Sequence, residues 1–238
     1  MTRSKTTKVD MGSNLVPALI MGVAAVFAAT IAVYVTHSRW QAHGSKTFSL
    51  LMLGVMVWVA GAGLEAGLPV PATKILAAKL SYFGIVSVPP LWLVFAMRYV
   101  RHDRWVTRRF LAALAIVPVV TLVLVLTTES HGLVWRSTAL NETSGTIVYE
   151  HGWWFWIWTG FAYGAIMIGT LMVLSLGVRG RAVYRRQGIA IGVGAMIPWI
   201  SNLIYLTGNS PWPGVDPAPL AFTVVGAIVA WALARCGL

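Results

Sequence analysis

Long apolar runs separated by short polar segments make up most of the chain. Each of seven such runs is long enough to cross a hydrocarbon core of about 30 Å as a helix, which takes roughly 20 residues. We therefore predict an all-α integral membrane protein, in which a polar tail at residues 1–13 precedes a single seven-helix transmembrane domain at 14–238. The predicted helices are approximately 14–36, 47–68, 74–99, 108–127, 153–178, 186–207 and 217–235.

The composition supports this fold class, and the distribution of charge orients the bundle. Hydrophobic residues make up 58% of the chain and charged residues only 11%, which excludes an ordinary soluble domain. The net charge is +11, but most basic residues lie in short loops, a pattern typical of the cytoplasmic leaflet rather than of nucleic-acid binding. We predict a multi-pass protein of the cell membrane with its N-terminus outside and its C-terminus in the cytoplasm, although Arg3, Lys5 and Lys8 oppose that orientation. The basic loop residues are Arg39, Lys46, Arg98, Arg101, Arg104, Arg108, Arg109, Arg179, Arg181, Arg185 and Arg186, followed by Arg235 at the end of the last helix.

Two ionisable residues lie inside neighbouring apolar runs. Glu65 is in the second predicted helix and Lys79 in the third. A charge in lipid costs about 2.5–3.5 kcal/mol, so such residues turn inward and find partners, and we predict a Glu65–Lys79 pair. Trp58 shares a helical face with Glu65, and Tyr82 shares one with Lys79. The pair is either a structural clamp between the two helices or part of a ligand-sensing site.

A second polar group lies around the last two helices. Asn202 and Tyr205 share a face of the sixth helix, and Asp216 precedes the seventh. One interpretation is structural, with Asn202 and Tyr205 bonded to a neighbouring helix and Asp216 capping the seventh. The functional interpretation is that this group lines one outward-opening cavity together with Glu65, Lys79 and Tyr82.

Aromatic residues are concentrated where the fifth helix begins. They are typical of the aromatic belt at a membrane interface, and the alternative is that one or two of these rings, for example Trp153 or Trp156, cover a pocket between helices. Gly160 and Gly164, four residues apart in this helix, predict a close helix contact. The aromatic residues of this outer face are Trp135, Trp153, Trp154, Phe155, Trp156 and Trp158, with Trp212 before the seventh helix.

The residues needed for several kinds of chemistry are missing from the sequence. The last helix has no lysine between Asp216 and Leu238, so we expect no retinal and no other cofactor. The five histidines lie in loops without metal-binding spacing, and Cys236 is the only cysteine, so we expect no metal site and no disulfide within the chain. We see no catalytic constellation, and we predict that this chain is not an enzyme by itself.

The order of these residues resembles the N-terminal seven-transmembrane sensor region of histidine kinases. The resemblance spans almost the whole chain, which makes it more specific than any one motif in it. In the first half it rests on Trp58, Glu65, Lys79, Tyr82, Gly84, Pro90, Phe95, Tyr99, Thr128, His131, Gly132 and Leu133. In the second half it rests on Gly152, Phe155, Trp156, Tyr163, Arg186, Gln187, Pro198, Asn202, Tyr205, Asp216, Pro219, Phe222, Gly226, Trp231 and Arg235.

The resemblance implies signal reception, and we predict that the module either binds a small ligand or senses the membrane itself. It also implies a cytoplasmic histidine kinase or other output domain, in cis or in trans, that receives the signal through the seventh helix, and a homodimer. Members of this family usually continue past the last helix, so the chain is expected to be either the sensor part of a longer receptor or a stand-alone relative. The alternative function is a small membrane transporter or channel, for which inward-facing charges are also suitable.

Overall fold

The computed structural model describes residues 11–38, 44–141, 144–179, 182–207 and 216–235, with the backbone alone at 11–14, 176–179, 182–187, 206 and 232–235. Predictions that concern residues 1–10, Arg39, Arg181, Trp212 and Cys236 lie outside the described residues. The helices in these ranges are α1 (Met11–Ser38), α2 (Ser45–Gly67), α3 (Pro71–Tyr99), α4 (Arg108–Leu126), α5 (Thr128–His131), α6 (Trp153–Arg179), α7 (Ala182–Gly194), α8 (Met196–Leu206) and α9 (Ala218–Arg235).

The long helices occur where the apolar runs predict them. Six helical segments of the described chain are long and apolar enough to cross a membrane, and the apolar part of α9, Ala218–Trp231, is shorter. Apolar side chains that remain exposed, such as Leu19, Val23 and Val26 of α1, are suited to contact with lipid. The chain is therefore a multi-pass membrane protein, while seven crossings and the orientation of the termini stay predictions.

The predicted sixth helix, 186–207, is interrupted once, between α7 and α8. The interruption is slight, because the Ala195 N–H still donates to the Ile191 carbonyl at 2.8 Å. Pro198 supplies the physical reason. It has no N–H to donate to the carbonyl of Gly194, so the helical ladder loses one bond there. The membrane span in this region is Gly188–Tyr205.

The segment between α4 and α6 contains a β-hairpin, which the apolar runs alone do not predict. Strands β1 (Trp135–Leu140) and β2 (Ile147–His151) pair in antiparallel fashion, with Thr138 opposite Tyr149 and an irregularity between Trp135 and Ser137. The backbone N–H of Gly152 donates to the Val134 carbonyl at 2.8 Å, which holds the hairpin against the start of α6. We call the end of the bundle that carries the hairpin, the α2–α3 connection and the start of α9 the hairpin end.

Helices α2 and α3 pack closely along glycines on both sides. A Cβ at Gly61 would meet the side chain and backbone of Ser81, and one at Gly84 would meet the Gly54 carbonyl and the Trp58 backbone. These contacts fix how α3 is aligned along α2. By contrast, no neighbouring heavy atom lies within 4 Å of a Cβ placed at Gly160 or Gly164, so within the described residues the predicted close contact there is wrong.

Candidate functional site

A cavity of about 200 Å³ lies between the helices at the hairpin end. Its walls come from α2, α3, α6, α8 and α9, and strands of the hairpin complete them. The described residues that line it are mainly aromatic, with a few polar groups between them. They are Trp58, Ala62, Glu65, Ala66, Ala78, Ser81, Tyr82, Ile85, Pro89, Trp135, Thr146, Ile147, Tyr149, His151, Phe155, Trp158, Thr159, Ala162, Tyr163, Ile166, Pro198, Trp199, Asn202, Tyr205, Asp216, Ala218 and Phe222.

Most of the polar residues singled out from the sequence come together around this cavity. They approach it from four helices or their ends, although they are up to about 150 positions apart in the chain. Lys79 is the exception, and its side chain does not line the cavity. The predicted residues that do line it are Glu65, Tyr82, Asn202, Tyr205 and Asp216, with Trp58 among the predicted aromatics.

The Glu65 carboxyl is held by a hydrogen bond from the hairpin rather than by the predicted ion pair with a lysine side chain. The Tyr149 hydroxyl of β2 donates to Glu65 Oε1 at 2.7 Å, across 84 positions of sequence. Burial and the nearby Glu65 carboxylate both raise the pKa of Tyr149, so its hydroxyl keeps its proton and acts as the donor. This bond connects the hairpin to the interior of α2.

The predicted Glu65–Lys79 pair is wrong. Lys79 Nζ instead lies 2.6 Å from Glu129 Oε1, and it also donates to the Leu126 carbonyl at the end of α4. The hydrogen bond from Lys79 holds the pKa of Glu129 below its usual range. The reason is the angular position of each lysine around α3. The alignment of α3 along α2 places Lys74 beside Glu65, and Lys79, five residues later, lies about 140° further around the helix.

Lys74 is the buried cation of this region, and the sequence-based interpretation missed it. Only 4% of the residue is exposed, and its Nζ donates to the backbone carbonyls of Glu65 at 2.8 Å and Ala66 at 3.2 Å. Carbonyls in the last turn of a helix have no partner within the helix. Lys74 therefore satisfies the end of α2 from the first turn of α3.

Asn202 and Asp216 form a second hydrogen-bonded group on the other side of the cavity. The Tyr163 hydroxyl of α6 donates to Asn202 Oδ1 at 2.6 Å, and Asn202 Nδ2 donates to Asp216 Oδ2 at 3.4 Å. Asp216 Oδ1 accepts the backbone N–H of Ala218 at 2.8 Å, so this carboxyl caps α9. Burial is the main influence on Asp216 and raises its pKa to about 6. The predicted capping role and the cavity position therefore belong to the same side chain.

The hairpin contributes aromatic walls that the sequence-based interpretation missed. Trp135 packs edge-on against Tyr82, with ring centroids 5.5 Å apart, and lies 4.6 Å from the Tyr149 ring. His151 stacks on Phe155 at 3.7 Å, and burial lowers its pKa. Ile147, Tyr149 and His151 line the cavity at every second position of β2. That alternation is the sequence signal that could have found them.

Trp153 and Trp156 do not cover the cavity, so this predicted role is wrong. They are 56% and 58% exposed, as side chains of an interfacial belt would be. The residues of α6 that do line the cavity include Phe155, Trp158 and Ala162, which follow helical spacing. The face of α6 that carries Trp153 and Trp156 is thus adjacent to the face that lines the cavity.

Residues 20–238 match the family model described as the N-terminal 7TM region of histidine kinase. The chain belongs to this family. No curated protein matches it. The resemblance inferred from the sequence is thus confirmed over nearly the whole chain.

Membership of the histidine-kinase 7TM family gives the cavity its context. The family region is a membrane sensor input module, and a kinase domain is the output partner that the family implies. In the described part of the chain, no three His, Cys, Asp or Glu side chains come together as metal ligands would. The lining includes two carboxyls, several aromatic rings and Trp199, whose buried Nε1–H has no hydrogen-bond partner among the described residues.

Proposed function

We propose that this domain receives its signal as a small molecule bound in the cavity at the hairpin end. The observation that carries the proposal is the 2.7 Å bond from Tyr149 to Glu65. It joins the hairpin to α2 across the lining of a cavity that also contacts α9. A ligand that competes for Glu65 would loosen the hairpin, so occupancy and helix packing would be linked.

Helix α9 is the element through which we propose that the signal leaves. Asp216 caps its first turn and bonds to Asn202 of α8. Phe222 lines the cavity and packs against Trp58 of α2, with ring centroids 5.7 Å apart. A ligand can shift the helices only if it binds two arrangements of the bundle with different affinity. A movement of α9 would change the contacts of Asp216 and Phe222, and with them the shape of the cavity that the ligand meets.

We further propose the membrane arrangement that this role requires. The chain crosses the cell membrane seven times, with the N-terminus and the hairpin end outside. The positive residues between α3 and α4 then face the cytoplasm, as the inner-leaflet bias predicts, and so does the end of α9 at Arg235. A cytoplasmic histidine kinase or another output domain, in cis or in trans, receives the signal there, and the receptor works as a homodimer in the lipid bilayer.

The test joins the chain after α9 to a histidine kinase core and measures autophosphorylation in membrane vesicles. Tyr149→Phe and Glu65→Gln should each change the phosphorylation rate by about fivefold, because a hydrogen bond to a buried carboxylate is worth about 1–3 kcal/mol. Glu129→Gln is the matched control, since this acid lies outside the cavity and pairs with Lys79. The control should leave the rate within about twofold.

Unchanged phosphorylation in both cavity variants, with normal membrane insertion, would contradict the proposal. Solute flux into liposomes that contain the chain alone would instead support a small membrane transporter or channel. The sensor function predicts no such flux.

A further inference from the structure

The charged side chains that line the cavity are acidic. Glu65 and Asp216 line it, and they lie close enough for their charges to interact. Among the described residues that line the cavity there is no lysine and no arginine. The linking sequence at 208–215 also contains no charged residue. Burial also lowers the pKa of His151, which favours the neutral form of its ring.

Lys74, a described cation close enough to Glu65 for their charges to interact, leaves the carboxylates available. Lys74 donates its protons to the carbonyls of Glu65 and Ala66, at the end of α2, rather than to a carboxylate. Asp216 accepts hydrogen bonds from the Ala218 N–H and the Asn202 amide, which are both uncharged donors. In the described part of the chain, the two carboxyls of the cavity therefore have uncharged hydrogen-bond donors and lack a salt-bridge partner. Two such acids with one nearby lysine leave one negative charge uncompensated when both are ionised.

The aromatic lining is the second, independent feature. Aromatic rings from α2, α3, α6, α9 and the hairpin surround the space, including Trp58, Tyr82, Trp135, Trp158 and Phe222. The faces of such rings carry partial negative charge and attract cations, most of all Trp, and an aromatic enclosure is how proteins recognise quaternary ammonium groups. Among the described residues no three His, Cys, Asp or Glu side chains come together as metal ligands would, whereas an organic cation fits both the rings and the acids.

A third feature concerns the uncharged part of the ligand. The Trp199 ring packs edge-on against Tyr163, with centroids 5.3 Å apart, and its buried Nε1–H has no acceptor among the described residues. A buried donor without a partner is unfavourable, so an acceptor on the bound molecule would satisfy it.

We infer that the cavity binds a small organic cation, an amine or quaternary ammonium compound that also carries a hydrogen-bond acceptor. Glu65 and Asp216 compensate the positive charge, the aromatic rings enclose its alkyl groups, and Trp199 donates to the acceptor. The inference rests on the proposed function, since it names the ligand class of the same site.

The experiment measures binding to the purified chain in lipid nanodiscs by calorimetry and by tryptophan fluorescence. The probes are choline and acetylcholine, their neutral carbon analogues 3,3-dimethylbutan-1-ol and 3,3-dimethylbutyl acetate, and the anion 3,3-dimethylbutanoate. We expect each cation to bind at least about tenfold more tightly than its neutral analogue, a ratio that corresponds to about 1.4 kcal/mol. This comparison uses the unaltered protein, so it does not depend on how a variant folds.

Substitutions then locate the binding. Glu65→Gln and Asp216→Asn should each weaken cation binding by about fivefold or more, since each removes a charge that the ligand faces. Glu129→Gln, the acid outside the cavity, should leave it within about twofold. The neutral analogues should be nearly insensitive to all three changes.

Three results would overturn the inference. They are equal or tighter binding of the neutral analogues or the anion, cation binding that both cavity variants leave unchanged, and no cation binding up to about 10 mM. Binding of the anion or of a neutral analogue that a cavity substitution abolishes would reject the cation class while leaving the sensor function intact. The sensor function itself is rejected separately, by unchanged phosphorylation in the kinase fusion.

Discussion

At the scale of residues, two lysines five positions apart in α3 have different roles. Lys74 is buried and satisfies the last carbonyls of α2, while Lys79 pairs with Glu129, whose side chain is 65% exposed. The sequence showed that a base lay within this helix, but which base meets Glu65 depends on how the two helices are aligned. The periodicity of one helix shows which residues share a face, but it does not determine how that helix is aligned along its neighbour.

We predict that Lys74→Met destabilises the folded protein by about 1–3 kcal/mol, because it leaves buried carbonyls of α2 without donors. Lys79→Met is the matched variant in the same helix and should cost less than about 1 kcal/mol, since its partner is largely solvated. The measurement is thermal unfolding in detergent. Equal losses in the two variants would contradict the roles assigned here.

Asp216 provides a prediction about pH. Its pKa is raised from 3.8 to about 6, so the folded protein holds this proton more tightly than the unfolded chain does. Stability from this group is therefore fully present below about pH 4 and is lost as the pH rises to about 6. We expect Asp216→Asn to remove that loss, which amounts to about 1–3 kcal/mol.

The check is the melting temperature of the two proteins between about pH 4 and pH 7. The groups that face Asp216 are Glu65, Tyr82, Tyr163 and Tyr205, and all of them are unchanged in the variant. Glu129→Gln is a control of opposite sign, because the pKa of Glu129 is lowered and its contribution is lost as the pH falls. If the melting temperature of Asp216→Asn falls with rising pH as much as that of the unaltered protein, another group causes the loss of stability.

At the scale of elements, the long helices could be predicted because the thickness of the bilayer dictates their length and apolar character. The hairpin could not be found the same way, since its strands have six and five residues and give only a short alternating pattern. The helix contacts were misplaced for a related reason. Gly160 and Gly164 have the spacing of a contact motif, but the contacts of α2 and α3 use Gly54, Gly61 and Gly84.

We predict that Gly84→Ala costs about 1–3 kcal/mol, because its Cβ would press on the backbone of α2 and force the helices apart. Gly164→Ala is the matched change in α6, where a Cβ meets nothing within 4 Å. It should be neutral or stabilise by up to about 1 kcal/mol through better helix propensity. Unfolding in detergent distinguishes them, and a loss in Gly164→Ala as large as in Gly84→Ala would contradict the packing described.

At the scale of the whole molecule, the charge bias predicts an orientation that can be tested directly. Cys236 is the single cysteine of the chain and follows Arg235 at the end of α9. We expect a membrane-impermeant maleimide to leave it unlabelled in intact cells and to label it once the membrane is opened. For the hairpin, Ala139→Cys combined with Cys236→Ser should be labelled in intact cells, since Ala139 is exposed. The reverse labelling pattern would show that the protein has the opposite orientation in the membrane.

The candidate site could be predicted in part for the same reason that the bundle could. A polar group in a membrane helix turns inward, so Glu65, Tyr82, Asn202, Tyr205 and Asp216 share one cavity despite their distance in sequence. Tyr149, Trp135 and His151 could not be assigned to it, because they lie outside the spans, where polarity says nothing about burial. Their position depends on the hairpin folding back over the helices.

The central claim is that the state of the cavity reaches α9, and hydrogen exchange on the chain in nanodiscs tests it most directly. Tyr149→Phe removes the bond to Glu65 with little change in volume, while Glu129→Gln serves as the control. We predict that Tyr149→Phe speeds exchange in the hairpin and also changes it in α9, and that the control leaves α9 unaltered. Faster exchange confined to residues 135–151, with α9 unchanged, would contradict the claim.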